Sequence, residues 1–345
     1  MIRFESDYLE GAHPSILKRL AETNLEQTPG YGNDIHCENA RSLIRTACNA
    51  PEADVHFLVG GTQTNTVVIT SILRPYQGAI CADTGHINVH ETGAIEARGH
   101  KVLALKTAEG KLAAADIKAY YEAHFQDSDH EHIVQPGMVY ISQPTENGTL
   151  YSKEELTQIS AVCKELSLPL FIDGARLGYG LASPKNDLTL ADIASLCDVF
   201  YIGGTKVGAL FGEAVVITNP ALKKDFRYFI KQHGAMLAKG RLLGIQFETL
   251  FTDDRYMEIS RHAITLAMQL KDAFSQKGIP FYYDSHTNQQ FPILTTSQLE
   301  ELAKNYSFSH WADLADGTHV VRFCTSWATD AQHVAELCEC IHTRL

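Results

Sequence analysis

The feature that most limits what this chain can fold into is a repeating alternation. Short, almost purely apolar runs are separated by longer stretches with helical periodicity. The runs fall at 55–60 (Val-His-Phe-Leu-Val-Gly), 78–82, 101–105, 138–142, 168–172, 198–202 and 213–217. The clearest helical stretch is 153–167. There Ser152 and Glu155 have capping-box spacing, and Leu156, Ile159, Cys163 and Leu166 recur on one face. Strand and helix in alternation predict an α/β chain with a largely parallel sheet covered by helices. From about residue 245 the pattern changes. One long helix is expected over 245–277, then a segment containing Pro and Gly, a strand at 318–324 and a terminal helix from about Asp330. The division expected is a large domain over 1–245 and a smaller C-terminal α/β domain over 246–345.

Composition narrows the partners. The chain has 345 residues, 45% hydrophobic and 20% charged, with a formal net charge of -12. That charge opposes duplex nucleic acid and anionic membranes, so neither is an expected partner. No run of about 18 apolar residues suggests a membrane span. The first residues are charged and lack the apolar core of a signal peptide. The eight cysteines are scattered and include no CxxC pair, which suits free thiols in a reducing, cytoplasmic setting. His130-Glu131-His132 lacks His-Glu-x-x-His spacing and reads as a solvated segment, so no metal ligand set is expected.

An open parallel sheet binds its ligand beyond the carboxyl ends of its strands, so polar residues at strand exits are the ones to inspect. Asp173 follows the apolar run Leu-Pro-Leu-Phe-Ile and precedes Gly174-Ala175-Arg176. A carboxylate there needs a partner. Either it pairs with Arg176 or caps a helix, or it holds a cationic ring nitrogen so that the ring can take up electrons. Lys206, in Gly203-Gly204-Thr205-Lys206-Val207-Gly208, is either a solvated charge or an amine in apolar surroundings that loses its proton readily and forms a Schiff base with an aldehyde. Gly60-Gly61-Thr62-Gln63-Thr64-Asn65 opens a helical stretch. It can be a simple N-cap turn or a phosphate cradle of free N–H groups, though not a Walker A loop. His86, past the 78–82 strand, is a hydrogen-bonded loop residue or a ring that stacks on a flat cofactor. Arg322, inside an apolar strand, sits on the surface or binds a carboxylate with its bidentate fork.

The motifs Phe171-Ile-Asp-Gly-Ala-Arg-Leu177 and Gly203-Gly-Thr-Lys206, in this order along the chain, resemble the low-specificity L-threonine aldolases. These belong to the β-eliminating-lyase group of fold-type-I enzymes dependent on pyridoxal 5'-phosphate. The similarity runs from Ser6-Asp7 to Arg322-Phe-Cys-Thr-Ser-Trp327. It implies a transferase-like large domain with a mostly parallel seven-stranded sheet. It implies cleavage of L-threonine, L-allo-threonine and related β-hydroxy amino acids to glycine and an aldehyde. The competing reactions are β-elimination by another lyase and transamination. A protein that merely binds a phosphate metabolite is the rival outside catalysis, and it has no need of Asp173 and Lys206 together.

The resemblance also implies roles. Lys206 carries the cofactor as a Schiff base, Asp173 pairs with its ring nitrogen and His86 stacks on the ring. Gly61, Thr62 and Gln63 hold the phosphate. Arg176 lies near the ring hydroxyl and the substrate carboxylate, where Ser6 and Arg322 complete the site. Many members carry an Asn-Thr-His segment whose histidine approaches the β-hydroxyl. Here the matching stretch is Gln143-Pro144-Thr145-Glu146, with Glu146 in the histidine's place. Glu146, His86 and His90 are therefore the candidate bases. Members are homodimers or homotetramers with active sites at subunit interfaces, and Tyr31 and the segment Lys231–Arg241 are candidates to reach a neighbour's site.

Overall fold

A computed structural model describes residues 1–345. After a two-residue strand β1 (Ile2–Arg3), the chain builds one sheet from β2 (Asp54–Leu58), β3 (Gln77–Ala82), β4 (Lys101–Leu105), β5 (Gln135–Ser142), β6 (Leu170–Asp173), β7 (Val199–Gly203) and β8 (Glu213–Ile217). Their order across the sheet is β2-β8-β7-β6-β5-β3-β4. Only β8 runs antiparallel to its neighbours, β2 and β7, while β4, β3, β5, β6 and β7 are mutually parallel. The seven apolar runs of the sequence are thus the seven strands of a mostly parallel sheet. β6, β7 and β8 are buried at every position, because helices cover both faces and leave no wet side.

Side chains alternate across the sheet with the period of two that a strand imposes. Ile141, Ile172, Phe200 and Ile202 enter the core on one face. Tyr140, Phe171, Val199 and Tyr201 enter the core on the other. The capping box forms as expected. Ser152 Oγ accepts from Glu155 N–H at 3.2 Å, and Glu155 Oε2 accepts from Ser152 N–H at 2.8 Å. It starts the helix Lys153–Glu165, whose Leu156, Ile159 and Cys163 are buried.

The single helix expected over 245–277 is two helices, Arg241–Phe251 and Arg255–Gln276. Apolar spacing continues across the gap, but Asp253 and Asp254 take left-handed φ values of 55° and 56°. Aspartate tolerates that region and is a poor helix former, so two in succession break the helix where periodicity alone would run through. The first of the two helices packs closely on Ile35–Ala47. A Cβ at Gly244 would lie 2.5 Å from Cys37 Sγ and 2.6 Å from Cys37 N.

The remaining strands are β9 (Gln289–Gln290), β10 (Ile293–Leu294), β11 (Tyr306–Ser307), β12 (Ser309–Asp313) and β13 (His319–Cys324). β13 is central and pairs antiparallel with β9, β10 and β12. β1 pairs parallel with β11, Ile2 facing Tyr306. Phe4 joins Leu270, Phe274, Phe323 and Leu337 in a third core. The first residues of the chain are thereby fastened to its last third, and Ser6 and Asp7 leave that anchor directly toward the large sheet. No helix is long and apolar enough to cross a membrane.

Because the helix contact at Gly244 has no room for a methyl group, Gly244→Ala should push the two helices apart. The expected cost is about 1–3 kcal/mol, read as a lower urea midpoint at unchanged slope. An unshifted midpoint would mean that the helices yield freely there.

Candidate active site

Asp173, at the end of β6, is 4% exposed, and its carboxylate is held by four donors. Its parity along β6 sends its side chain to the Phe171 face, which is also the Tyr140 and Tyr201 face of the flanking strands. Tyr140 O–H donates to Oδ2 at 2.6 Å and Tyr201 O–H donates to Oδ1 at 2.5 Å. Ala175 N–H donates to Oδ1 at 3.0 Å. The Asn65 amide donates both to Oδ2 at 3.1 Å and to Glu91 Oε1 at 2.7 Å. That same Glu91 oxygen lies 2.8 Å from His86 Nδ1. A continuous buried network therefore joins Asp173 to His86. Burial pushes the Asp173 carboxyl up, but His86 and the hydrogen bonds outweigh it and hold the group below the usual carboxylate range. His86 is raised. Burial opposes its charge, and the contact with Glu91 and the field of Asp173 more than restore it.

Lys206 lies on the loop leaving β7. That loop crosses the loop leaving β6 so tightly that a Cβ at Gly203 would stand 2.2 Å from Ala175 O. Burial, and then the Arg176 guanidinium, pull the Lys206 ammonium below the usual lysine range, against Asp7, Asp173 and Glu213. An amine so placed is readily neutral and nucleophilic. Glu213 is the first residue of β8, and the reversed direction of that strand brings it to the same end of the sheet. Its Oε2 accepts from Gly204 N–H at 3.0 Å. Burial pushes its carboxyl up to about 8, although Thr205, Lys206 and Gly204 pull the other way.

Arg176 does not pair with Asp173. Its Nε donates to Asp7 Oδ2 at 2.6 Å and its Nη2 to Asp7 Oδ1 at 3.1 Å. Asn288 donates to the same carboxylate at 2.9 Å. Burial works against the Asp7 charge, but Arg176 and Lys206 bring its pKa down to about 2. Arg322, stacked over Trp311 at 5.5 Å, donates from Nη1 to Gln289 Oε1 at 3.1 Å and from Nη2 to Glu5 O at 3.1 Å. Its Nε and the neighbouring Ser6 Oγ are both buried without a partner.

These elements meet at a cavity of about 280 Å³. Of the sequence-derived candidates, Gly61, Thr62, His86, Glu146, Asp173, Arg176 and Lys206 line it. Gly60 N-caps the helix Gly61–Ile72 without any side-chain cap, so the first N–H groups of that helix can take an anion. Glu146 is half-buried and its Oε1 accepts from Ser142 O–H at 2.7 Å and from His86 N–H at 3.1 Å. Burial raises its carboxyl, and Asp173 adds to the rise. Five candidates do not line it: Ser6, Arg322, Gln63, His90 and Tyr31. Ser6 and Arg322 carry the unpartnered buried atoms just described. The Gln63 side chain turns back, its Oε1 accepting from Val59 N–H at 3.2 Å. His90 is exposed, 5.6 Å from the His86 ring. Tyr31 is 46% exposed, with the Lys231 ammonium 5.0 Å from its ring centre.

Sequence reasoning missed Tyr140, Tyr201, Asn65, Glu91 and Glu213. The tyrosines were detectable in principle, since both share Asp173's face by parity. Glu213 was not, because it needs the strand direction of β8.

A mostly parallel seven-stranded sheet, with a lysine at one strand exit and a caged aspartate at the next, defines a fold-type-I chain. The histidinol-phosphate aminotransferase of Clostridium acetobutylicum shares that fold, with a TM-score of 0.73 at 15% identity over 99% of this chain and 98% of the other. The chain belongs to the beta-eliminating lyase family, whose model matches residues 4–336. It is 33% identical to the low specificity L-threonine aldolase of Pseudomonas aeruginosa, over 97% of this chain and 95% of that protein. It is 48% identical to the solved Leishmania major threonine aldolase, with a TM-score of 0.96 and 99% of both chains covered.

The Asp7–Arg176 pair yields a pH prediction. Asp7 falls from its usual 3.8 to about 2 in the folded state. Its stabilisation is complete above about pH 4 and is lost as pH falls through 2. Urea unfolding of wild type and Asp7→Asn from pH 5 downward should show their stability gap narrowing by about 2 kcal/mol in that window. A gap independent of pH would contradict the assignment.

Proposed function

We propose that this chain is a pyridoxal 5'-phosphate-dependent aldolase, a carbon–carbon lyase that splits L-threonine, L-allo-threonine and related β-hydroxy amino acids into glycine and an aldehyde. The observation that carries the reading is the caged Asp173 and Lys206, whose ammonium form burial disfavours, lining one cavity in a chain so similar to threonine aldolases. The residues fit the cofactor. An uncapped helix N-terminus awaits an anion at Gly61–Gln63, and two unpartnered buried atoms, Ser6 Oγ and Arg322 Nε, await a carboxylate. The cofactor, when bound, supplies an aldehyde carbon for an amine and a protonated ring that withdraws electrons.

In this reading Lys206 Nζ would hold the cofactor through its aldehyde carbon, and as a free amine would carry a proton within the cavity. Asp173 keeps the ring nitrogen protonated, since its own carboxyl stays ionised. Gly61, Thr62 and Gln63 hold the phosphate, Gln63 through its backbone because its side chain is engaged with Val59. His86, its Nδ1 tied to Glu91, would offer its imidazole to the cofactor's ring. Ser6, Arg176 and Arg322 fix the substrate carboxylate and so orient the bond to be broken. Glu146 takes the β-hydroxyl proton. Its raised carboxyl is the more basic for its burial, and Ser142 aims it. His90 is a bystander at the rim. The half-exposed Tyr31 and the basic segment Lys231–Arg241 serve a neighbouring subunit in a homodimer or homotetramer. The same reading takes 1–245 as the large domain and 246–345 as the small one. It sets the enzyme in the cytoplasm, where its eight free cysteines stay reduced.

Holoenzyme given L-threonine should release glycine and acetaldehyde in equal amounts, and Lys206→Ala should abolish both. 2-Oxobutanoate with ammonia, in place of glycine and acetaldehyde, would favour β-elimination instead. Glu146→Gln should lower kcat by about 10²–10⁴-fold and flatten the pH–rate profile. An unchanged profile would remove Glu146 as the base.

A further inference from the structure

Three side chains converge on the small sheet, at the hairpin of β12 and β13. Asp313 and His319 face one another directly across the two strands. Strand alternation alone would send His310 and Asp313, three residues apart, to opposite faces. The register shift between His310 and Ala312 inserts one residue and brings the two side chains together. His310 Nε2 then lies 2.9 Å, and His319 Nδ1 2.6 Å, from the same atom, Asp313 Oδ1. The three ligand atoms are all within 4.8 Å of one another.

Two imidazole nitrogens directed at one carboxylate oxygen need a proton on each to coexist there. A divalent cation satisfies all three groups at once. The second nitrogen of His319 is also occupied, since Nε2 lies 3.0 Å from Thr296 Oγ1 at the start of the helix Thr296–Ala303. Such an outer hydrogen bond fixes ring orientation and leaves Nδ1 to coordinate.

We propose that His310, Asp313 and His319 form a binding site for a first-row divalent cation of zinc type, bridging β12 to β13. Imidazole and carboxylate ligands suit zinc, which takes them at about 2.0–2.2 Å. Ligand atoms on a tetrahedral ion stand about 3.3 Å apart at those bond lengths, so the present contacts need to open by well under 1 Å. Asp313 and His310, with side chains 68% and 57% exposed, have the freedom to do so. Water completes the shell on the open side. The ion clamps the hairpin that carries Arg322, three residues beyond His319 on β13. The site is independent of the aldolase reading.

The test is a competition titration of metal-stripped holoenzyme with zinc chloride against a chromophoric chelator, in a non-coordinating buffer. One site per chain is expected. His310→Ala and His319→Ala should each weaken it at least tenfold, and Thr296→Ala, which touches no metal, should weaken it by about tenfold. One equivalent of zinc should raise the Tm of wild type and leave that of His310→Ala unmoved. Zinc affinity equal in wild type and both histidine variants would locate the binding elsewhere among the sixteen histidines and overturn the proposal, as would no binding at micromolar zinc.

Discussion

A carboxylate buried at the end of a central strand is costly, and much of this structure exists to make Asp173 tolerable. Isolated in the interior, such a charge would shift its pKa upward and neutralise. Four donors prevent this, and each comes from a different part of the chain. Tyr140 comes from β5, Tyr201 from β7, Asn65 from the helix after β2, and the Ala175 N–H from the turn after β6 itself. The order β5-β6-β7 and the parity of the side chains are what bring two phenols to one carboxylate. The register of the sheet is therefore also the geometry of the site.

Electrostatics continue that pattern outward. Asp7 neutralises Arg176, Glu91 steadies His86, and Glu213 stands near Lys206. The groups whose charged form ends up disfavoured are those for which burial outweighs the counter-charges around them. Lys206 is depressed and Glu213 and Glu146 are raised, each chiefly by burial. Displaced groups gathered in one cavity are what a proton-moving site requires.

The strands were legible because a sheet covered on both faces demands continuous apolar runs, and Asp173 and Lys206 were legible because a charge at the end of such a run needs a reason. Ser152 and Glu155 announced a helix start through purely local chemistry. What stayed hidden depends on distance along the chain. Asp7 is 169 residues from Arg176, so no window of sequence contains the pair. Asn65 and Glu91 read as ordinary polar residues until the helix after β2 is laid over the sheet. The break at Asp253–Asp254 was missed because apolar spacing on both sides suggested continuity. The His310–Asp313–His319 cluster has no motif spacing, because a bulge and a turn create it.

The pairing of β1 with β11 bears on how the molecule is made. Asp7 emerges early in synthesis, but the strand that anchors its neighbours lies some three hundred residues downstream. Arg176 is translated in between, and the β1–β11 pairing that fastens the segment carrying its counter-ion can form only after that late strand is made. A bulky fusion placed just before Ile2 would burden that closing step. The other terminus of the chain offers a gentler point of attachment, because the helix Ala331–Arg344 finishes on exposed residues.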